Sequence, residues 1–174
     1  MTRISTIRGS AFLAALAIGC ATPSTSPDNN RDDGGDDAPR TGTVIQNEIE
    51  YEGDVLVMES FPVQLAGQVT ITNRGSGTRS VVFPDGCVAL LRAYRPGEST
   101  PVWDQASEVA CTMALVEMEL RPGEPQEIRT PTASGYEILD DQLPDGQYRI
   151  TIYLRPDGGQ VEIEAGTVDL AIPR

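Results

Sequence analysis

Carboxylates are the commonest side chains in this sequence that could do chemistry, and three sets of glutamates recur at every second position. These are Glu48, Glu50 and Glu52, then Glu117 and Glu119, then Glu162 and Glu164. Two carboxyl groups converging across a cleft can share acid and base roles, as in glycoside hydrolysis. A spacing of two on a strand instead places each set on one face. The intervening Ile49, Met118 and Ile163 put the opposite face in a core, so these glutamates read as solvent-facing. Asp140 and Asp141 precede Leu143 in a polar stretch and read as a cap or turn. The chain contains no His, and its 13 basic residues are all Arg. Without Lys there is no Schiff-base chemistry, and without His the commonest general base and metal ligand are missing. There is no Gly-x-Ser-x-Gly elbow, P-loop or metal-spaced Cys/His cluster. An unaided Ser, Thr or Tyr is a weak nucleophile at neutral pH. No catalytic residue, metal ligand or cofactor is expected. The acidic run 28–37 fails as a calcium loop, because Asp33 stands where the sharp-turn glycine belongs and Pro39 where the bidentate glutamate belongs. With 26 acids the net charge is −13, which excludes a phosphate-binding footprint and hence a nucleic-acid partner.

The three cysteines carry more information. Arg3 and Arg8 precede a short apolar run from Ala11 to Ile18, well below the roughly 20 residues that a membrane-spanning helix takes. A charged start, a brief apolar run and a small residue before a cut describe a secretory leader over residues 1–19. Leu16-Ala17-Ile18-Gly19-Cys20 resembles the bacterial lipobox, which implies that the Cys20 sulfur carries diacylglycerol and anchors the chain to a membrane. Ala21, rather than Asp, follows that cysteine, and the resemblance therefore implies the outer membrane of a cell envelope. Export also permits a lasting disulfide, and with Cys20 lipidated only Cys87 and Cys111 remain to pair. Closing that loop would stabilise the fold by about 3.4 kcal/mol on chain-entropy grounds.

The elements that position these residues are strands. Residues 20–43 are almost free of apolar side chains and cannot repay the entropy of ordering, so they read as a disordered acidic tether. From residue 44 to 174 the pattern has period two, with turn signals about every ten residues. Val63, Leu65, Val69 and Ile71 alternate with polar neighbours before the turn 73–77. Val81 and Phe83 share a face. The segment 87–94 is apolar on both faces, as a central strand would be. Val116, Met118 and Leu120 face inward, and so do Tyr148, Ile150, Ile152 and Leu154. Val161 and Ile163 share one parity, whereas Val168, Leu170 and Ile172 share the other, and a β-bulge at Gly166 would produce that switch. No stretch shows a helical stripe, although residues 104–115 have room for a turn or two. The expected fold is all-β, an antiparallel immunoglobulin-like sandwich of about seven or eight strands.

The order of landmarks adds a resemblance. Val69-Thr70-Ile71-Thr72-Asn73, Pro101-Val102-Trp103, Leu120-Arg121-Pro122-Gly123-Glu124 and Leu143-Pro144-Asp145-Gly146-Gln147-Tyr148 follow one another as in the immunoglobulin-like BsuPI domain. That family is named for an intracellular proteinase inhibitor, and the match spans residues 63–154. It implies a sandwich fold and, by the family name, a protease as partner, with residues 96–115 as the presenting loop. This chain departs from the family in its export signal and in the Cys87/Cys111 pair, so the resemblance speaks more to fold than to inhibition. Trp103, the single tryptophan, is either a core anchor lying against the disulfide or an exposed partner contact, and large aromatics favour the core. The expected function is that of a membrane-tethered, non-enzymatic envelope lipoprotein whose sandwich binds a protein or other envelope partner. Proteinase inhibition is the alternative.

Overall fold

A computed structural model describes residues 41–140 and 142–172, without the Thr41 side chain. The leader over 1–19, Cys20, the tether as far as Arg40, and Asp141 lie outside the described residues. The chain runs through β1 (Thr41–Gln46), β2 (Ile49–Met58), β3 (Gln64–Asn73), β4 (Arg79–Phe83), β5 (Ala89–Tyr94) and β6 (Trp103–Asp104). It continues through β7 (Val116–Leu120), β8 (Pro125–Arg129), β9 (Ala133–Ser134), α1 (Gly135–Leu139), β10 (Gly146–Leu154) and β11 (Val161–Leu170). The fold is all-β, and every strand pair is antiparallel.

One sheet has the order β1-β2-β3-β8, with β9 also pairing with β3; the other has the order β11-β10-β5-β6, and β4 and β7 form a separate ribbon. In immunoglobulin terms β2, β3 and β8 take the places of strands A, B and E. β11, β10, β5 and β6 take those of G, F, C and C′. Seven or eight strands were expected, and among the described residues there are eleven. The surplus has a physical cause: β6 and β9 are two residues long, too short for alternation to show in sequence. β1 starts at Thr41, inside the stretch expected as tether, and its pairing of Thr41 with Asp54 orders a segment whose own composition is polar.

The inward faces follow the alternation. Leu65, Val69 and Ile71 of β3 and Tyr148, Ile150, Ile152 and Leu154 of β10 are buried, and β5 is buried on both faces except at Arg92. In β11 the register shifts opposite Ile150 and Thr151, which face Gly166 and Glu164. Ala165 is the extra residue, and Gly166 has φ 122°, a conformation that a side chain would resist. The buried set accordingly changes from Val161, Ile163 and Ala165 to Val168 and Leu170. β1 closes one edge of the sandwich against β11. A Cβ at Gly42 would clash with the Glu164 carbonyl, so the two backbones approach as only glycine allows.

Two motif residues turn out to be joints. Asn73 is fully buried; its amide donates to Gly77 O at 2.7 Å and Leu120 O at 2.9 Å, and its side-chain oxygen accepts from Gly75 N–H at 2.9 Å. It thereby fastens the glycine-rich turn and the end of β7 to β3. Tyr148 is buried with its hydroxyl donating to Pro144 O at 2.7 Å, the tyrosine corner of Greek-key sandwiches.

One helix was not expected. α1 starts at a capping box in which the Ser134 hydroxyl accepts from Glu137 N–H and the Glu137 carboxylate accepts from Ser134 N–H. The Ser134-x-x-Glu137 spacing, which is that of a capping box, was passed over in the sequence, and five residues are too few to show a helical stripe. Asp140 caps the other end in the left-handed conformation, φ 38°. Between residues 104 and 115 a single 3-10 turn forms, Gln105–Ser107. Among the described residues no helix is long and apolar enough to cross a membrane.

Candidate functional site

The sandwich has two ends. The β1–β2 turn and the β10–β11 hairpin lie together at one of them, where Gln46 reaches the backbone of Gly159. Ala89 pairs with Leu154, so Cys87, just before β5, belongs to this end as well. The β2–β3 hairpin, where Met58 pairs with Gln64, forms the opposite end together with the start of β10.

Cys87 and Cys111 form a disulfide with Cα atoms 5.3 Å apart. The loop it closes is braced again by Gly86 N–H, which donates to Thr112 O at 3.0 Å. Asp85 accepts from Cys87 N–H at 2.9 Å and pairs with Arg155 at 2.7 Å, tying the loop to the β10–β11 hairpin. The short segment from Cys111 to β7 is therefore held at both ends. It presents Met113, 94% exposed, and Leu115, 71% exposed. Leu115 lines a mostly apolar pocket of about 510 Å³ with Val82, Pro84, Arg155 and Pro156. This tip can take an apolar side chain of a partner, with charged groups at its rim. Asp85, Cys87 and Cys111 lie close enough together to suggest a metal site. The two sulfurs are bonded to each other, however, and no thiolate is left to ligate.

Trp103 is 8% exposed and joins the core, so its ring is not an exposed contact. It pairs with Ala93 near the end of β5 away from Cys87, and it lines a cleft of about 390 Å³ with Ile138, Leu139 and Leu143. The expected packing against the disulfide is not the packing seen, because β6 joins the sheet beside the far end of β5. Its indole N–H is buried without a hydrogen-bond partner among the described residues. Three acids around the cleft are occupied structurally. Asp104 accepts from Arg92 and Ala106 N–H; Glu137 completes the capping box; Asp140 accepts from Gln142 at 3.1 Å.

The glutamate sets divide on inspection. Glu117 and Glu119 lie on the exposed face of β7, where Glu117 accepts from Ser80 Oγ at 2.6 Å. Glu48 is in the β1–β2 turn rather than on a strand, because Asn47 and Glu48 both have positive φ, 52° and 61°. That two-residue turn sets the hairpin register, and Glu48 and Glu50 form ion pairs with Arg79 and Arg74. Glu162 departs furthest from a solvated face. It accepts from Tyr94 Oη and from Thr151 Oγ1 at 2.8 Å, and it pairs with Arg92 at 3.3 Å. Arg92 also bonds Asp104 at 2.8 Å and stacks 3.7 Å above the Tyr153 ring, while Arg149 stacks 4.2 Å above Tyr94. Burial opposes the charge on Arg92, but the Asp104 hydrogen bond and the charges of Asp104 and Glu162 outweigh it and raise its pKa. Burial, then the hydrogen bond to Glu162 and its charge, raise that of Tyr94. Every carboxylate in this network has a donor, so the outer face of β5, β10 and β11 is a knitted surface rather than an acid–base pair. The sequence signal for it was a single arginine inside an otherwise apolar strand.

No protein-family model and no curated protein matches the chain. Several solved structures show some likeness, and two of them are as follows. One is a β-glucosidase from Kluyveromyces marxianus in complex with glucose, 14% identical, with a TM-score of 0.38; the match covers 70% of this chain and 14% of that one. The other is the putative ApaA protein from Bordetella pertussis, 21% identical, with a TM-score of 0.34, covering 78% of this chain and 99% of that one.

Proposed function

We propose that this protein is a lipid-anchored, non-enzymatic component of a bacterial cell envelope whose sandwich binds a protein partner through the disulfide-braced tip. The observation that carries the binding half is the pair Met113 and Leu115, highly exposed on a segment fixed between Cys111 and β7 beside an apolar pocket. Exposed apolar side chains on a braced loop lose little entropy when a partner covers them, and Met adapts well to irregular partner surfaces. The anchoring half rests on the leader and the lipobox-like Cys20.

Two measurements test the halves separately. A fatty-acid analogue should label the wild-type chain and leave Cys20→Ala unlabelled; an unlabelled wild type removes the anchor. Pull-down from native envelopes should recover a partner that Met113→Ser with Leu115→Ser releases. Retention of every partner by that double variant removes the tip.

A proteinase inhibitor of the BsuPI kind is the second reading, and the same tip favours it. Within residues 96–115, Trp103 and Gln105 are buried whereas 96–100 and 112–115 are exposed, and of these two stretches the second adjoins the disulfide. Stoichiometric inhibition of subtilisin-like or trypsin-like enzymes, lost on changing Met113, would put this reading first.

A further inference from the structure

The end of the sandwich opposite the disulfide carries its own apolar cap. Phe61 is 76% exposed, Val57 42%, Met58 41% and Tyr136 40%. Phe61 stands in the β2–β3 connection, and α1, which bears Tyr136, is bound to it through Gly135 N–H donating to Val63 O at 2.8 Å. We propose that this cap rests in the surface of the lipid bilayer, as a second contact beside the lipid on Cys20. The proposal rests on the lipid-anchored reading above.

Chain direction is the first argument. β1 runs from Thr41 toward the Gln46 turn at the disulfide end, so its N-terminal end at Thr41 faces the other end. β2 continues for four residues beyond Asp54, the partner of Thr41, to Met58. At strand rise this carries the hairpin about 14 Å past Thr41 in the same direction. Twenty residues separate Cys20 from Thr41. Twenty residues reach about 25 Å on random-coil scaling, so the length of chain between Cys20 and Thr41 is enough for the anchor and the cap to meet the same bilayer.

Chemistry is the second. Between Val55 and Val63 the only ionisable residue is Glu59, on a chain of net charge −13. The carbonyls of Met58, Pro62 and Val63 at the tip are met within the protein. Ser60 N–H donates to Met58 O at 2.7 Å, Ser60 Oγ to Pro62 O at 2.8 Å, and Gly135 to Val63 O. A tip with protruding Phe, Met and Tyr side chains and three of its carbonyls already bonded can enter the headgroup boundary, where water remains for the others. Aromatic side chains also favour that depth. The acidity of the whole chain implies a neutral, zwitterionic surface, because an anionic leaflet would repel it.

The test uses the full chain, processed and lipidated at Cys20, reconstituted in phosphatidylcholine vesicles with brominated acyl chains, which quench indole on contact. Phe61→Trp should show blue-shifted emission and lose intensity to bromine, whereas Leu115→Trp at the opposite tip should lose none. The buried Trp103 supplies a common background in both. Replacing part of the phosphatidylcholine with phosphatidylglycerol should weaken the quenching. If the chain stays on vesicles through Cys20 but the indole at position 61 emits as in water and is unquenched, the cap does not touch lipid and the anchor stands. A blue shift without bromine quenching means that protein, not lipid, covers the cap, and this too overturns the proposal. A chain that carries no lipid on Cys20 and floats with no vesicle defeats the anchored reading and this inference with it.

Discussion

The two ends of the sandwich both expose apolar side chains, but different means hold them in place. At the Cys111 end Met113 and Leu115 stand on irregular backbone, and a disulfide, one backbone hydrogen bond and the Asp85–Arg155 pair keep that backbone in position. At the Phe61 end the exposed residues ride on a hairpin whose register runs unbroken from Ile49 to Met58 against β3, backed by the capped helix α1. One tip needs a covalent brace because residues 111–115 lie outside the strands, although the β1–β2 and β10–β11 hairpins reach the same end. The other is an extension of the sheet. A braced irregular loop suits recognition of a shaped partner, whereas a hairpin tip suits a surface with no fixed shape.

Cutting the brace is the sharpest way to break that comparison. Replacing Cys87 and Cys111 together with Ala should lower stability by about 2–5 kcal/mol in urea unfolding and weaken partner binding through Met113. Lipid contact at Phe61 should persist in conditions where the domain remains folded. If stability is unchanged, the tip is not held by its disulfide. Next comes Asn73→Ala at the same end, which strands the buried carbonyl of Leu120 and releases the exposed one of Gly77. Leaving a buried group unpaired should cost about 1–3 kcal/mol, read from the same unfolding curves. At the Phe61 end, Tyr148→Phe removes only the bond to Pro144 and should cost about 0.5–1.5 kcal/mol. A larger loss there than at Asn73 would reverse the assignment of which end depends on single polar joints.

Alkaline titration probes the sheet between the ends. The folded state raises the Tyr94 pKa, so it holds that proton more tightly than the unfolded chain does. The resulting stability is complete below the unfolded value near about 10 and is lost as pH rises through the folded value. Unfolding midpoints followed above pH 10 should fall more steeply for the wild type than for Tyr94→Phe, and equal slopes would detach Tyr94 from Glu162. The smallest effect on stability belongs to Met113→Ser. A change at so exposed a side chain should stay within about 0.5 kcal/mol while partner binding is lost. A large destabilisation would mean that Met113 supports the fold rather than recognition.

Strand alternation was legible because its causes are local. A pleated strand with one buried face must alternate, and Tyr148 to Leu154 do so. The parity break at Gly166 was legible for the same reason, since an inserted residue moves every later side chain to the other face. α1 and β6 were not, as too few residues repeat in them for any period to appear. The position of Trp103 also depended on which part of β5 the two-residue β6 would join.

What the sequence by itself determined is therefore the all-β class, the inward faces of the long strands, the bulge, and the single pairing left to the domain's cysteines. Each follows from the order of polar and apolar residues or from counting. Only the tertiary structure decided that Glu162 lies in a network with Arg92, Tyr94 and Thr151, while Glu117, with the same spacing, stays at the surface. Both glutamates point away from a core. Glu162 is crossed by side chains from β5, whereas the ribbon of β4 and β7 offers Glu117 only Ser80. Period two says which face a side chain takes, but what else lies on that face depends on strands distant in sequence.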